Sequence, residues 1–228
     1  LSVVDAMITE ACVSRRYLDS GGLMDTWQDL AAVVEERLAA MSSGERGVFA
    51  AGAAERLMCR HEALPEEDQA PFTISLRPLL NSVWEAVLGD STAFTAVKRG
   101  VAEYLLSDYC HNDGQDGPDD ADEHAAAATL HAAHAYLFEC ADFAIWSGRR
   151  AVDAVDEHLQ YLAESDEDTP GLDEALVAEL RRQLEDLDLI ATYSKDLRYA
   201  SLGLAIDTSV RLRVELRTPL SNVADRSG

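Results

Sequence analysis

Apolar residues return every three or four positions along nearly the whole chain, and the strict alternation of a half-buried strand is almost nowhere to be found. The pattern predicts an all-α protein, a multi-helix bundle of about eight helices with a long C-terminal helix. It reads as a single helical domain over residues 1–217, followed by a flexible tail over 218–228.

The first expected helix, 3–18, sets Val4, Ile8, Ala11 and Leu18 on one side and stops at Ser20-Gly21-Gly22. The second, 24–41, carries Trp27, Leu30, Val34, Leu38 and Met41 as one amphipathic stripe. Ser42 and Glu45 then form a capping box for a third helix over 43–63. Its small residues, Ala50, Ala51, Gly52, Ala53 and Ala54, allow close helix approach, which places it at the centre of the bundle. Pro65 ends it. A helix over 75–88 follows, with Pro78 in its first turn, where a missing N–H is tolerated, and Gly89 as its stop. The next covers 92–109. An Ala-rich helix is expected over 121–146, and Ser147-Gly148 is read as the break before another over 149–164. From Leu172 a leucine stripe runs to about residue 216, with Ser201–Gly203 the place where so long a helix would break. A stripe of that length exceeds what a compact monomer easily covers, so a homodimer paired partly through the 172–216 helix is expected.

Composition and charge narrow the classes. The chain is 47% hydrophobic and 27% charged, a globular profile. No run of about 18 apolar residues is present, so no membrane-spanning helix is expected. The segment LSVVDAMITEACVSRR places its basic residues after the apolar ones, the reverse of a secretory signal. Cys12, Cys59, Cys110 and Cys140 form no C-x-x-C pair and read as free thiols. Together these point to a cytoplasmic protein. The only lysines are Lys98 and Lys195, the usage of a GC-rich genome such as an actinobacterial one. The net charge of −23 argues against nucleic acid as a partner and suits a protein with a basic surface.

Candidate chemistry is sparse. His124, His131 and His134 fall within about 80° of helical arc, a metal-like face. His124 and His131 are nevertheless roughly 10.5 Å apart along the axis, too far for metal bonds of about 2 Å. His131 and His134 remain as the candidate metal pair, needing further ligands from elsewhere. Residues Asn112 to Glu123 fit a calcium loop poorly, with Gly114 where an oxygen ligand belongs and Asp119 where an aliphatic residue belongs. Glu55, beside Arg56 and His61, is the acid most open to an inward position, though an exposed ion pair is the expected state. No nucleophile elbow, Walker loop, dinucleotide fingerprint or H-E-x-x-H is present, so no catalytic residue and no cofactor is assigned. Trp27, Trp84 and Trp146 are expected in the core, and an exposed one would mark an interface.

The segments VFAAGAAERLMCRHEAL, LNSVWEAVLG and GRRAVDAVDEHL carry an A-x-E-R-L string, a W-E-x-x-L-G helix end and a V-D-x-V-D-like helix. Over about residues 48–165 the chain resembles the YjaG-like family of uncharacterised all-helical bacterial proteins. The resemblance implies a helical fold and transfers no functional residue. The reading is a non-enzymatic regulatory or scaffolding protein acting by protein–protein contact, developmental regulation among its possible settings. Two alternatives stand beside it: an immunity-type inhibitor of a basic toxin, and a metal-dependent enzyme using His131 and His134.

Overall fold

The computed structural model describes residues 26–107, 121–164, 172–198 and 204–217. Among them the helices are α1 (Trp27–Ala40), α2 (Ser43–Glu62), α3 (Pro71–Ser75), α4 (Arg77–Val87), α5 (Ala93–Leu105), α6 (Ala121–Phe138), α7 (Ala141–Glu164), α8 (Leu172–Thr192), α9 (Ser194–Arg198) and α10 (Ile206–Glu215), with a 3-10 turn at Glu66–Asp68. No strand occurs among the described residues, and the fold is all-α. The expected helix over 3–18, residues 112–120 of the calcium-loop register and the tail over 218–228 lie outside the described residues.

Helix α2 is the axis of the bundle. It starts where the sequence says it should. Ser42 Oγ accepts from the Glu45 amide, and the Ser42 amide donates to Glu45 Oε2 at 2.8 Å. Its small residues then let α6 and α7 come close. Ala50, Ala51, Ala53 and Ala54 are buried against a matching run on α6 of Ala125, Ala128, Ala132, Ala133 and Ala135. The main-chain carbonyls in this seam are satisfied from within: Ser147 Oγ donates to Ala50 O at 3.0 Å. Helix α1 lays Leu30, Val34 and Leu38 inward, mainly against α8, and Arg37 joins Asp188 at 2.7 Å across the surface of that contact.

Three expected boundaries are corrected. The helix read over 75–88 is two pieces, α3 and α4, meeting at Leu76. Each opens with a proline, Pro71 or Pro78, in its first turn, where the ring fits. The break read at Ser147-Gly148 lies instead at Glu139, whose φ of 54° is left-handed. Helix α7 runs straight through Ser147-Gly148 because both residues are packing surface. A Cβ at Gly148 would sit 3.0 Å from Phe49 Cε1 and 3.1 Å from Gln183 Oε1.

The third correction concerns the 172–216 helix. It is not continuous. Helix α8 ends at Thr192, the short α9 follows, residues 204–205 are non-helical, and α10 is a separate helix. The leucine stripe is spent within the chain. Leu176, Leu180, Leu187 and Ile190 are buried, with α8 packed against α1 and α7. The Leu197 backbone of α9 packs so closely on α2 that a Cβ at Gly44 would collide with its carbonyl oxygen. Leu212 of α10 and Leu216 at its C-cap are buried, and Leu216 Cβ would lie 3.2 Å from a Cβ placed on Gly52 of α2. Within the stripe on which self-pairing was expected, Leu176, Leu180, Leu187, Ile190 and Leu197 are covered by the chain's own helices.

Candidate functional site

Two places in the fold concentrate chemistry-bearing side chains. The first is the corner where α6 gives way to α7. The left-handed Glu139 reverses the chain there, and its carbonyl is tied to α2 by Arg46 Nη2 at 2.8 Å. The reversal sets His131, His134 and Phe138 of α6 against Phe143 and Trp146 of α7. Ring centroids are 5.5 Å apart for His131–Trp146, 5.1 Å for His134–Phe143 and 5.2 Å for Phe143–Trp146. The last pair meets edge to face, a favoured aromatic geometry. Phe138 is 62% exposed and Trp146 41%. Of the three tryptophans, Trp84 is wholly buried and Trp27 half-buried, so Trp146 alone is at the surface.

The candidate metal pair His131 and His134 thus faces rings. Among the described residues no group of three or more His, Cys, Asp or Glu side chains comes together to hold an ion. His124, buried on the same helix, lies apart with its Nε2 2.9 Å from Glu157 Oε2. Burial, then the charges of Arg150 and His134, push the His131 imidazole down to about 4, and burial lowers His134 as well. These are neutral aromatic rings at neutral pH. The unfolded chain therefore binds more protons than the folded one between about pH 6.5 and 4, and stability falls as pH drops through that window. For a partly exposed ring the loss is about 1–2 kcal/mol after solvent screening. His131→Gln is expected to reduce that loss, read as the difference between variant and parent in urea unfolding across the window.

The second place is a charged seam through the core. Glu55 was expected on the surface, but it is fully buried. Its position on α2 turns it toward α4 and the end of α10, where partners wait. Arg77 Nη1 reaches it at 2.9 Å, Trp84 Nε1 at 3.0 Å and Arg217 Nη2 at 3.0 Å. The partly buried Cys59 thiol lies 3.7 Å from the same carboxylate. Arg77 also forks onto Glu62, with both contacts at 2.6 Å. Burial pulls the Arg77 guanidinium down, and the Glu62 hydrogen bond with the charges of Glu55 and Glu62 more than reverses it.

The neighbouring Arg56 points the other way round α2. It donates to Asp186 Oδ2 at 2.5 Å and to the Leu216 carbonyl at 2.6 Å. Arg182 bridges Asp186 at 2.8 Å and Glu179, and Gln183 ties Glu179 to the Gly148 carbonyl. Burial, then the Arg182 charge, pulls Arg56 down to about 10, and burial raises Asp186 against the pull of Arg56. Both groups are strained by the loss of water, and each charge holds the other in place. The sequence signal for this seam was slight: two charges inside a run of alanines and apolar residues, on a helix already assigned to the centre.

No family model matches the sequence, and no match to a curated protein is found. A crystal structure of a DUF416 family protein from Shewanella baltica matches over 80% of this chain and 92% of that one, at 13% sequence identity and a TM-score of 0.51. At that identity the likeness is one of fold alone: this chain is similar in helical architecture to a DUF416 family protein.

Proposed function

We propose that this protein is a non-enzymatic regulatory or scaffolding protein that binds a protein partner through the aromatic corner of α6 and α7. The observation that carries the reading is the half-exposed ring cluster around Phe138 and Trp146. Large aromatic side chains dominate the energetics of protein interfaces, and a contiguous group of them facing solvent is unusual on a monomer. Exposed Glu139 and Asp142 flank the rings, and the whole chain carries −23, so the fitting partner offers a basic rim around an apolar centre.

The test is capture from the source cells with the full chain as bait, at low and high salt, beside a Phe138→Ser, Trp146→Ser double variant. The expected result is one basic protein recovered in stoichiometric amount, held less well at high salt and lost with the variant. Phe138 and Trp146 are 62% and 41% exposed, so the double variant should keep its fold, read as an unchanged far-ultraviolet circular dichroism spectrum, at a lowered unfolding midpoint. Recovery of the same proteins by parent and variant overturns the reading. So does a parent that sediments as a concentration-dependent dimer which the variant abolishes, because a second copy is then the occupant.

A further inference from the structure

Helix α10 sits on the charged seam as a ligand sits in a site. It touches the body through one face, which carries Leu212, Arg213, Leu216 and Arg217. Leu212 is buried, and the other three have named receptors on α2 or α4. Leu216 fills the notch left by Gly52. Arg217 pairs with the buried Glu55 at 3.0 Å. Arg213 donates to Asn81 Oδ1 at 2.7 Å and lies over the Trp84 ring at 5.7 Å. The Leu216 carbonyl, at the negative end of the helix, accepts from Arg56, whose side chain is fully buried. The far face of α10 is not used by the bundle: Ile206, Val210 and Val214 are 80%, 57% and 62% exposed. Ten residues make a marginal helix on its own, so its order depends on this one face.

We propose that the α2–α4 groove is a docking site for a basic amphipathic helix of another protein, with leucine and arginine spaced L-R-x-x-L-R, and that α10 is its intramolecular occupant. The groove supplies what such a helix needs: a carboxylate, an amide oxygen and an indole face for two guanidinium groups, a notch for a leucine, and a buried guanidinium for the last carbonyl. The strongly acidic chain favours the approach of a basic segment. A tethered occupant acts at an effective concentration of about millimolar, so a free helix binds well only where α10 has let go. The site is separate from the aromatic corner, and either can fail without the other.

The test uses a fluorescein-labelled peptide with the sequence of residues 204–217, LAIDTSVRLRVELR, and the full chain carrying Leu212→Asp and Leu216→Asp. By anisotropy this variant should bind the peptide at least tenfold more tightly than the parent chain. Adding Glu55→Gln should lower that affinity about tenfold, and raised salt should weaken it. A peptide with both inward arginines changed to glutamate should not bind. If the double variant does not fold, Arg217→Glu alone, which keeps both leucines and sets like charges together at Glu55, takes its place with the same expectation. Equal binding of the peptide by variant and parent, or equal binding of the two peptides, overturns the proposal.

Discussion

Replacing Trp84 by alanine is expected to lower the unfolding free energy by about 4 kcal/mol. Trp84 is the largest fully buried side chain among the described residues, carried on α4 and turned toward the central helix. Truncation leaves a cavity the size of an indole in a core whose neighbours are helices fixed by other contacts, so little collapse is available to fill it. It also removes the N–H that reaches Glu55 at 3.0 Å and the ring beneath Arg213. Urea unfolding reads the effect as a lowered midpoint with an unchanged slope. Trp84→Phe separates the two contributions. It keeps most of the volume and loses the donor, and should cost about 1–2 kcal/mol. A loss below about 1.5 kcal/mol for alanine would mean the site is not packed as described.

Glu55→Ala is expected to cost about 3 kcal/mol, the lower end of the range for breaking a buried pair by removing one partner. The carboxylate is shared by Arg77 Nη1, Arg217 and the Trp84 N–H. Two facts keep the cost from rising further. Arg77 retains its fork onto Glu62, and Arg217 is half-exposed, so water resolvates part of what is lost. Glu55→Gln preserves an acceptor for Trp84 and should fall between parent and alanine. Because the carboxylate is buried, added salt should change the loss little, unlike that of the surface pair Arg149–Glu35. Glu55→Ala and Trp84→Phe should be non-additive, since each removes the other's hydrogen-bond partner.

The parts of this fold legible in the sequence are those whose cause is local. The Ser42–Glu45 capping box, the Leu30, Val34, Leu38 stripe and the alanine run of α2 each act within a turn or two, and each appears where the pattern puts it. The errors arise where a residue's usual local habit is overridden by its neighbours in space. Ser147-Gly148 looks like a break, yet inward positions continue straight across it, from Ala144 to Ala151 and on to Val155 and Leu159. Gly148 is small because Phe49 and Gln183 need the room, and Ser147 turns inward to the Ala50 carbonyl. The true reversal falls on Glu139, a residue type with no turn signature. The leucines from 172 to 216 keep one spacing while serving α1, α2 and α7 from three separate helices, and periodicity does not say which partner covers a stripe. The aromatic corner joins two stretches that periodicity alone gave as a single helix, so its rings were not placed together. Glu55 was noticed as a residue and misplaced as an environment, because its arginine and indole donors lie 22, 29 and 162 positions away.

Separations of that length set an order of events during synthesis. The Arg56–Leu216 hydrogen bond spans 160 residues of chain. At the usual pace of translation, roughly 5–20 residues per second, the central helix is made about ten to thirty seconds before the segment that covers it. Through that interval Gly52, Glu55 and Arg56 face whatever the nascent chain meets. On this timing, a chaperone or a partner that reaches the ribosome-bound chain meets the α2–α4 groove before α10 has been made.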